Sequence, residues 1–531
     1  MVKHYVFRVD GSIQIGSGHV MRCLVLAQAL RETGGTVTFI SRVRPGDMCA
    51  LIERRGFPVL RLGGIAPPEP GAIAASRREC GAVSWQDDAA QTVASLAALG
   101  NPPNWLVVDH YLLDRRWETV LAGAVERILV IDDLADRPHC CQLLLDQNLV
   151  ADLEGRYADK LPAHCAALLG PHHALLDPAY ALLRARLPVK HGPVRRILAF
   201  FGGVDAADLS GRTMRAFAAL GRQDVVLDVV TTSANPHLGR LREQAGGQPC
   251  VRLHHDLPTL AHLMAAADLA IGAGGISNWE RLCLGLPALV VTVADNQRAI
   301  ARELDRLGLI RWLGDENVVD EGVLSRVVGD ILDTGLEESW SRACRAVVDG
   351  RGADRVAAIL AADVCTPLTV RAVTASDELL LLDWANDPVT RANGFHPEAI
   401  AAATHHDWLG RKLAAPLGCR FYIVETPAEV PVGQIRFERQ GAGAWEIHFS
   451  LGPPFRGRGL GAAMVAAALS ALHAQSGNAT IIGRVLERNQ ASRRIFENLG
   501  FSAQAGEGGF VAYRRNMREH PDTVQGASTC S

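Results

Sequence analysis

The sequence has no long apolar run and no large excess of charge of one sign. No stretch of the 531 residues approaches the roughly 20 uncharged apolar positions that a membrane-spanning helix needs. The formal net charge is −3, which gives no general field to attract nucleic acid or an anionic lipid surface. We therefore expect neither nucleic acid nor a membrane as a partner, and any phosphate binding must be local.

Cysteine is present without a recognisable framework. The 12 cysteines are scattered singly apart from the adjacent Cys140 and Cys141, with no CxxC pair and no cysteine–histidine finger spacing. This pattern predicts neither a zinc site nor disulfides, and we expect no bound metal. The first residues are patterned as a strand and not as a signal peptide, so the sequence predicts a cytoplasmic protein.

What is present is ordinary globular material arranged in three segments. Hydrophobic residues make up 48% and charged residues 21%, and the length suggests about three or four folding units. Short apolar runs alternate with helical patterns over residues 1–190 and again over 191–350, with a Pro/Gly break at 188–193 between them. The alternation predicts a pair of doubly wound, Rossmann-like α/β domains with a cleft between them.

The expected parallel strands of this pair share continuous apolar character; they are residues 5–9, 36–41, 105–109, 128–132, 196–201, 225–231, 269–272 and 288–293. A linker is expected at 351–368. Residues 369–517 then carry helical patterns, three antiparallel strand candidates and another helix, which indicates an α+β module. Residues 518–531 are polar and are predicted to form a disordered tail.

A glycine loop follows the first predicted strand and opens the first predicted helix. Gly16 and Gly18 would let backbone N–H groups approach a phosphate, which the positive end of a helix favours. His19, at the helix start, is the side chain best suited to take a proton from water near neutral pH. The alternative interpretation is an ordinary strand–helix turn in which a histidine begins the helix, and this loop alone does not decide between them.

A second glycine loop repeats the arrangement at residues 268–280. Gly274 and Gly275 could cradle another phosphate, while Ser277 and Asn278 could cap the helix or donate hydrogen bonds. Glu280, one turn into the helix, could accept both hydroxyls of a ribose. The spacing Ser-x-x-Glu fits a capping box equally well.

Further polar and glycine positions are expected at the same cleft. A third glycine loop carries Gly202 and Gly203 after the first strand of the second domain, and Asn296 with Gln297 follows a later strand. Three glycine loops at strand ends around one cleft are difficult to explain as turns alone. We interpret them as a nucleotide-diphosphate site.

Residues 1 to about 345 resemble the UDP-sugar hydrolases of pseudaminic acid biosynthesis, relatives of the MurG-type glycosyltransferase-B proteins. The matching stretches are residues 10–19, 108–111, 131–133, 202–205, 274–280 and 296–297. The resemblance implies a GT-B-like fold without a metal. It implies removal of UDP from UDP-2,4-diacetamido-2,4,6-trideoxy-β-L-altropyranose, with water replacing the nucleotide at the anomeric carbon and loop amides stabilising the departing diphosphate.

The same resemblance suggests roles for individual side chains. His19 would be the base that acts on water, and Glu280 would hold the uridine ribose. Candidates for sugar contacts are the strand-end residues Asp10, Asp109, Tyr111 and Asp133. Asp132 and Asp133 could instead be capping or core-edge residues.

A different glycine loop lies in the third segment and precedes an alanine-rich helical pattern at 462–473. It resembles the pyrophosphate loop of GNAT-type N-acetyltransferases, in which loop amides bind coenzyme A. The residues concerned are Arg456, Gly457, Arg458, Gly459, Leu460 and Gly461. Residues 371–373, 384–391 and 489–501 extend the resemblance, which implies acetyl-CoA as cosubstrate and Asn489 as a contact of its pantetheine arm.

One residue departs from that family, because many members have tyrosine where this chain has Phe496. That tyrosine is often assigned to protonating the leaving thiolate. Phe496 cannot donate a proton, so water or another group such as Tyr513 must do so, or the step needs no acid. Glu446 could deprotonate the amine directly or through water; alternatively it pairs with an arginine, and His448, expected on the same strand face, is a second candidate base.

Taken together, the sequence predicts a bifunctional enzyme acting on consecutive steps. It would acetylate the 4-amino group of UDP-4-amino-4,6-dideoxy-N-acetyl-β-L-altrosamine and then remove UDP from the product. The alternatives for the first half are a glycosyltransferase, or a non-catalytic UDP-sugar-binding module that serves the acetyltransferase. Expected partners are the UDP-sugar and acetyl-CoA, and other enzymes of the same sugar pathway are further candidates.

Overall fold

The computed structural model describes residues 2–12, 15–63, 83–441, 443–506 and 509–517. It divides into two compact units, residues 2–356 and the chain from residue 357 onward. The predicted tail, 518–531, lies outside the described residues. None of the described helices is both long enough and apolar enough to cross a membrane.

The first unit begins with a parallel sheet whose described strands follow the order β3-β2-β1-β4-β5-β6-β7. The strands are β1 His4–Val9, β2 Thr36–Arg42, β3 Val59–Leu62, β4 Trp105–Asp109, β5 Ile128–Ile131, β6 Leu143–Asp146 and β7 Ala166–Leu169. The helices described with them are α1 Gly18–Glu32, α2 Cys49–Arg54, α3 Trp85–Ala97, α4 Arg115–Leu121 and α5 Pro178–Arg186.

A second parallel sheet follows, with its described strands in the order β10-β9-β8-β11-β12-β13. The strands are β8 Arg196–Phe200, β9 Val226–Thr231, β10 Val251–His255, β11 Leu269–Ala273, β12 Ala288–Thr292 and β13 Arg311–Asp315. The helices are α6 Leu209–Ala219, α7 Leu238–Gly246, α8 Ala261–Ala266, α9 Ser277–Leu284, α10 Asp295–Arg306, α11 Glu321–Thr334 and α12 Glu338–Val347.

The central strands of both sheets are buried along their whole length, as expected where helices cover both faces of a sheet. Every residue of Trp105–Asp109 and of Ala288–Thr292 is buried, which is typical of parallel sheets. In each sheet the first strand lies between the second and the fourth, so the loops after the first and fourth strands meet at one edge. That edge is where open α/β sheets bind ligands. The predicted doubly wound pair is confirmed.

Helix α5 ties the two halves of the first unit together. Tyr180 of α5 belongs to the same buried cluster as Leu198 of β8, and Arg184 donates to the carbonyl of Cys283 at 3.0 Å. A further helix, α13 Gly352–Ala361, starts against the first half, where a Cβ on Gly352 would collide with the backbone of Ala174. The segment predicted as a linker therefore begins with a packed helix, and the boundary between the two units falls inside it.

The second unit is an α+β module, as predicted. Its described strands, in the order β14-β15-β16-β17-β18-β20-β19, are β14 Thr369–Ala372, β15 Cys419–Glu425, β16 Pro431–Arg439, β17 Ala444–Leu451, β18 Thr480–Leu486, β19 Ser502–Ala505 and β20 Phe510–Asn516. The helices are α14 Glu378–Asn386, α15 Pro388–Ala392, α16 Ala402–Leu413, α17 Leu460–Ser476 and α18 Gln490–Asn498.

One strand pair of this sheet is decisive for the site. β17 and β18 run parallel, whereas the pairs on either side of them are antiparallel. Their pairing extends from Ala444–Thr480 to Glu446–Ile482, but β17 continues to Leu451. The two strands therefore part beyond Glu446, and a cleft opens between them.

Candidate active sites

The first candidate site centres on His19, in the first turn of α1. Its side chain is buried, and Nδ1 lies 2.6 Å from Oδ1 of Asp109, the last residue of β4. The Tyr111 ring meets the imidazole edge-on at 4.4 Å between centroids. An ionised carboxylate can only accept a hydrogen bond, so Nδ1 carries the hydrogen, and in the neutral tautomer the lone pair lies on Nε2. This is the arrangement of an oriented base.

Asp109 is held in its ionised form by Arg22, which sequence reasoning did not single out. Arg22 Nε donates to Oδ2 and Nη2 to Oδ1, both at 2.6 Å. Burial opposes the charge, but Arg22 and His19 outweigh it and hold the pKa of Asp109 well below its usual range. Arg22 follows His19 by three positions on α1, so both side chains occupy one face of the helix.

Tyr111 and Asp133 lie in the same cluster. Burial raises the pKa of Tyr111, so its hydroxyl stays protonated and donates to Asp133 Oδ2 at 3.4 Å. Arg22 Nη1 donates to the same oxygen at 3.2 Å. Within the described part of the chain, Asp133 Oδ1 is buried without a hydrogen-bond donor. Asp133 therefore retains an acceptor that a substrate hydroxyl or amide could satisfy.

Asp10 and Asp132 have structural surroundings instead. The Asp10 side chain is fully enclosed: Arg8 pairs with it at 2.5 Å, and the backbone N–H of Arg42 donates to it at 2.8 Å. Asp132 is also buried and accepts from the N–H of Ala135 at 2.8 Å. The Asp10 carboxylate is occupied by these partners, so the geometry gives no support for a sugar contact by Asp10. Asp132 holds the backbone at the edge of the core.

The two glycines of the first loop differ. Gly16 has φ +86°, and its N–H already donates to the carbonyl of Ser12 at 2.8 Å. Gly18 is exposed at the start of α1, and a Cβ there would meet open space. A Cβ at Gly16 would also meet open space, so the surroundings of both glycines leave room for a phosphate, and Gly16 in addition shapes the turn.

The glycine loops of the second half adjoin one another, because β8 and β11 are paired neighbours. Gly202 has φ +92°, and both it and Gly275 face open space where a Cβ would stand. Gly203 lies against Thr232, whose hydroxyl donates to its carbonyl at 2.7 Å. Gly274 is in ordinary contact with Gln297. These loops leave room for a phosphate beside Gly202 and Gly275.

Several side chains predicted to contact the ligand form hydrogen bonds within the protein instead. Asn278 is buried, and its carboxamide oxygen accepts from Arg281. Gln297 Oε1 accepts from the N–H of Val293 at 3.0 Å, whereas Asn296 is exposed. Ser277 is the first helical residue, and α9 has no side-chain N-cap. The capping-box interpretation is therefore not realised.

Glu280 lies on the first turn of α9. Burial raises the pKa of Glu280, and the nearby Tyr180 hydroxyl acts in the opposite direction. Since Glu280 is not used as a capping acid, its carboxylate remains a candidate acceptor for ribose hydroxyls.

The second candidate site is a cleft of about 930 Å³ within the second unit. It opens where β17 leaves β18, and Phe449, Ser450 and Leu451 of β17 line it together with residues of α16 and α18. Backbone groups of β17 beyond the branch point are thus accessible along the cleft. Such an opening suits an extended chain with amide groups, as in a pantetheine arm.

The glycine loop at one end of this cleft has the conformation that only glycine adopts readily. Gly457 and Gly459 have φ +69° and +76°, and α17 starts at the next residue, Leu460. A Cβ on Gly457 would meet open space, whereas one on Gly461 would collide with Ile495 of α18. Gly457 and Gly459 shape the turn before α17, and Gly461 permits close helix packing.

The polar residues around the loop are firmly held. Arg456 pairs with Asp387 at 2.7 Å and donates to Thr390 at 2.9 Å. Arg458 is buried. Asn489 caps α18 by accepting from the N–H of Ser492 at 3.1 Å, and it also lines the cleft. Its carboxamide oxygen is thus occupied, which leaves the amide hydrogens for a ligand.

Glu446 is paired with an arginine, the alternative that the sequence left open. Arg484 Nε and Nη2 approach Glu446 Oε1 at 2.7 and 2.6 Å, and Gln440 donates to Oε2 at 3.0 Å. Its surroundings do not support the predicted role as base. His448, two residues further along β17, lines the cleft, and 37% of its side chain is exposed.

The acetyltransferase (GNAT) family model matches residues 367–502, which include the parted strands and the glycine loop. The chain carries a GNAT domain. Spore coat polysaccharide biosynthesis protein SpsG of Bacillus subtilis is 33% identical over 199 residues, 36% of this chain and 57% of that protein. The alignment thus spans little more than half the length of that relative.

Two further likenesses concern the N-terminal part. The UDP-2,4-diacetamido-2,4,6-trideoxy-beta-L-altropyranose hydrolase of Campylobacter jejuni is 25% identical over 310 residues, 57% of this chain and 96% of that protein. The N-terminal part is homologous to this hydrolase. The crystal structure of MurG from Acinetobacter baumannii, at 15% identity and a TM-score of 0.48, covers 67% of this chain and 99% of its own.

In the GNAT domain, Phe496 stacks on Tyr513 with ring centroids 5.0 Å apart, and Phe496 lines the cleft. The Tyr513 hydroxyl donates to Glu497 at 2.9 Å and accepts from Arg493 at 3.4 Å. Because these partners occupy the hydroxyl, Tyr513 does not supply the proton that Phe496 lacks.

Sequence reasoning missed the aromatic and basic residues at the far end of the GNAT cleft. Arg436 lies 5.0 Å from the centroid of the Trp408 ring, and both line the cleft. No local motif marks them, since α16 and β16 meet only in the folded domain. Among the residues that the structure describes, no three His, Cys, Asp or Glu side chains are grouped to hold a metal ion.

Proposed function

We propose that this chain is a bifunctional nucleotide-sugar enzyme. Its first half hydrolyses a UDP-sugar to UDP and the free sugar, and its GNAT domain transfers an acetyl group from acetyl-CoA to a sugar amine. The observation that carries the hydrolase is the 2.6 Å contact between His19 Nδ1 and Asp109 at the edge where ligands bind. A module that only binds a nucleotide sugar has no need of an oriented base.

In the hydrolytic step, His19 Nε2 takes a proton from water as the water oxygen bonds to the anomeric carbon. The bond between that carbon and the diphosphate oxygen breaks, and UDP departs with the electron pair. Asp109 stabilises the imidazolium that forms, as in other histidine–aspartate pairs. Loop amides beside Gly18, Gly202 and Gly275 would stabilise the diphosphate, and Glu280 would hold the ribose.

For the sugar, we propose UDP-2,4-diacetamido-2,4,6-trideoxy-β-L-altropyranose. Support comes from the homologous hydrolase, which is named for this substrate and is matched over 96% of its length. The unpaired Asp133 Oδ1 beside the His19 cluster offers an acceptor for an amide or hydroxyl of such a sugar. Tyr111, on the other side of Asp133, would close the subsite.

For the GNAT domain, we propose acetylation of the 4-amino group of UDP-4-amino-4,6-dideoxy-N-acetyl-β-L-altrosamine, a step of pseudaminic acid biosynthesis. The product would be the hydrolase substrate, so one chain would perform consecutive reactions. The basic lining of the cleft suits a nucleotide diphosphate as well as coenzyme A. Its charged residues in the described structure are Arg391, Arg411, Arg436, Arg456 and Arg484 with a single carboxylate, Glu398. Because acetyl-CoA and UDP-sugars are cytoplasmic metabolites, we place both reactions in the cytoplasm.

The decisive experiment for the first half is incubation of the purified chain with the UDP-sugar alone, followed by chromatography for UDP. We expect UDP release without any acceptor. Release that requires a sugar or lipid acceptor would instead indicate a glycosyltransferase. Binding of the UDP-sugar without turnover would indicate a non-catalytic module.

The acetyltransferase is tested separately by thiol release from acetyl-CoA with a panel of UDP-amino sugars. We expect the 4-amino altrosamine nucleotide to be acetylated faster than its ring epimers and faster than the same sugar without UDP. Equal rates with and without the nucleotide would contradict the proposed nucleotide-linked acceptor.

A further inference from the structure

Apart from arginines, the titratable side chains that line the GNAT cleft in the described structure are His396, Glu398, His405 and His448, and of these only His448 lies on β17, where the two strands part. Glu446 is engaged by Arg484, Phe496 has no ionisable group, and the Tyr513 hydroxyl is occupied by Glu497 and Arg493. The amine must nevertheless lose a proton when it becomes an amide, and the thiolate of coenzyme A must gain one. A single exposed base between them would meet both needs.

We propose that His448 is this proton carrier: its imidazole takes the proton from the attacking amine and returns it to the departing thiolate. The inference rests on the acetyl-transfer half of the proposed function and names the residue that performs its proton chemistry. Of the two candidate bases that the sequence offers, the structure favours His448 over Glu446. The same imidazole would compensate for the phenylalanine at position 496.

The position of His448 follows from the parting of the strands. It lies two residues beyond Glu446, the last β17 residue paired with β18, and its backbone partner on β16 is Arg436. Its side chain is 37% exposed and lines the cleft that Phe496 also lines. A substrate amine that enters the cleft can therefore reach the imidazole of His448. It cannot reach the Glu446 carboxylate in the same way, because Glu446 is buried and does not line the cleft.

The charged neighbours of His448 are fixed by other partners. From β16, Arg436 pairs with Glu438 at 2.5 Å, and from β18, Arg484 pairs with Glu446 at 2.6 Å. Glu446 Oε1 remains 3.9 Å from His448 Nε2, beyond hydrogen-bond distance. From α16, His405 and Arg411 line the same cleft. Among the described residues, no carboxylate forms a hydrogen bond with the imidazole Nε2 of His448.

These surroundings keep the imidazole neutral. Partial burial and the guanidinium of Arg436, helped by Arg484, lower the pKa of His448 to about 4, although Glu446 and Glu438 act in the opposite direction. A neutral imidazole has a free lone pair at pH 7. It is a weak base, but attack on the thioester makes the amine nitrogen strongly acidic, so a weak base suffices once the amine arrives uncharged.

The low pKa also explains the return of the proton. The lone pair of the amine forms the C–N bond at the thioester carbonyl carbon, and His448 takes the proton from that nitrogen. The C–S bond then breaks and the sulfur leaves with its electron pair. An imidazolium with so low a pKa gives its proton readily to a thiolate, whose thiol has a pKa of roughly 8.5. The products are the amide and free coenzyme A, and His448 ends neutral.

The test compares His448→Gln with the matched control His406→Gln, which changes an exposed histidine of α16 outside the cleft. We expect His448→Gln to lower kcat for acetyl transfer by about 100-fold or more. The KM for acetyl-CoA should change by less than about threefold, because His448 acts on protons and does not hold the coenzyme. The unchanged KM for acetyl-CoA serves as the folding control for the GNAT domain. A kcat within about threefold of that of His406→Gln would overturn the proposal.

A second variant distinguishes proton transfer by His448 from a purely structural role of that side chain. In His448→Ala, added imidazole should restore acetyl transfer in proportion to its concentration, because a small base can fill the vacated space. Rates that do not respond to imidazole would count against a proton carrier.

A third measurement separates this inference from the substrate proposal. NMR titration of the His448 imidazole, assigned by its loss in His448→Gln, should show an imidazole that is neutral at pH 7, and one that is charged at pH 7 would overturn the mechanism. If the wild-type chain acetylates no member of the UDP-amino sugar panel, the proposed substrate fails. The titration and any other accepted amine would then still decide the role of His448.

Discussion

Each half of this chain places a histidine near a carboxylate, and the two pairs are built differently. In the first unit Asp109 lies 2.6 Å from His19 Nδ1 and is shared with Arg22. In the GNAT domain Glu446 lies 3.9 Å from His448 Nε2 and is engaged by Arg484. The first carboxylate orients its imidazole, whereas the second mainly neutralises an arginine.

The difference corresponds to the chemistry proposed for each half. Removing a proton from water is difficult, because water is a weak acid, so a base that is oriented and stabilised when charged is an advantage. Removing a proton from an amine that has already attacked a thioester is easy, and the same group must release the proton again. A carboxylate bound tightly to His448 would hinder that release.

The largest effect is expected for His19→Gln. Since the base is removed and glutamine cannot replace it at pH 7, UDP release should fall by about 1,000-fold or more. Chromatography of UDP measures this loss, and acetyl transfer by the same chain should stay within about twofold of wild type. Equal loss of both activities would argue against separate sites.

Asp109→Asn should have the next largest effect. The asparagine amide can present either a donor or an acceptor to Nδ1, so the imidazole loses its fixed tautomer, and we expect a loss of about 100-fold in UDP release. Arg22 would also lose its buried charge partner, which costs about 3–5 kcal/mol of folding free energy. The melting temperature of the first unit should therefore fall. Asp114→Asn is the control: it makes the same change at the N-cap of α4, and a loss as large as that of Asp109→Asn would contradict the special role of Asp109.

A smaller effect is expected for Gly457→Ala in the GNAT loop. The alanine must adopt φ +69°, which costs about 1–2 kcal/mol, and its methyl group would project into the space proposed for the pyrophosphate. We expect acetyl-CoA affinity to fall about tenfold by calorimetry. Gly477→Ala is a matched control, because Gly477 also has positive φ and open space but follows the far end of α17. If both variants lose the same affinity, the loop assignment fails.

The smallest effect is expected for Glu446→Gln. Glutamine keeps an oxygen that can accept from Arg484, and His448 remains in the cleft, so kcat for acetyl transfer should fall by less than about fivefold. Steady-state kinetics with acetyl-CoA provide the measurement. A 100-fold loss would return the role of base to Glu446 and remove the contrast between the two halves.

Much of the fold can be predicted from the sequence, because parallel strands and glycine loops have recognisable local sequence patterns. The continuous apolar runs at 105–109 and 288–292 are what a sheet covered on both faces requires. Arg22 could also have been found, since three positions after His19 place it on the same helix face. The sequence predicts a linker at 351–368, whereas the structure has a helix at Gly352–Ala361. Its alanine-rich sequence carries no local sign that Gly352 packs against Ala174.

The sequence by itself determined the two doubly wound halves, the GNAT module and the loops that could bind phosphate, because each depends on residues close together in the chain. Only the tertiary structure decided which side chains remain available. Asp10 is paired with Arg8, the Gly16 N–H donates to the carbonyl of Ser12, and Glu446 is paired with Arg484, 38 residues away. A charged or polar group is satisfied by whatever partner folding brings to it, and such partners leave no pattern in the neighbouring sequence.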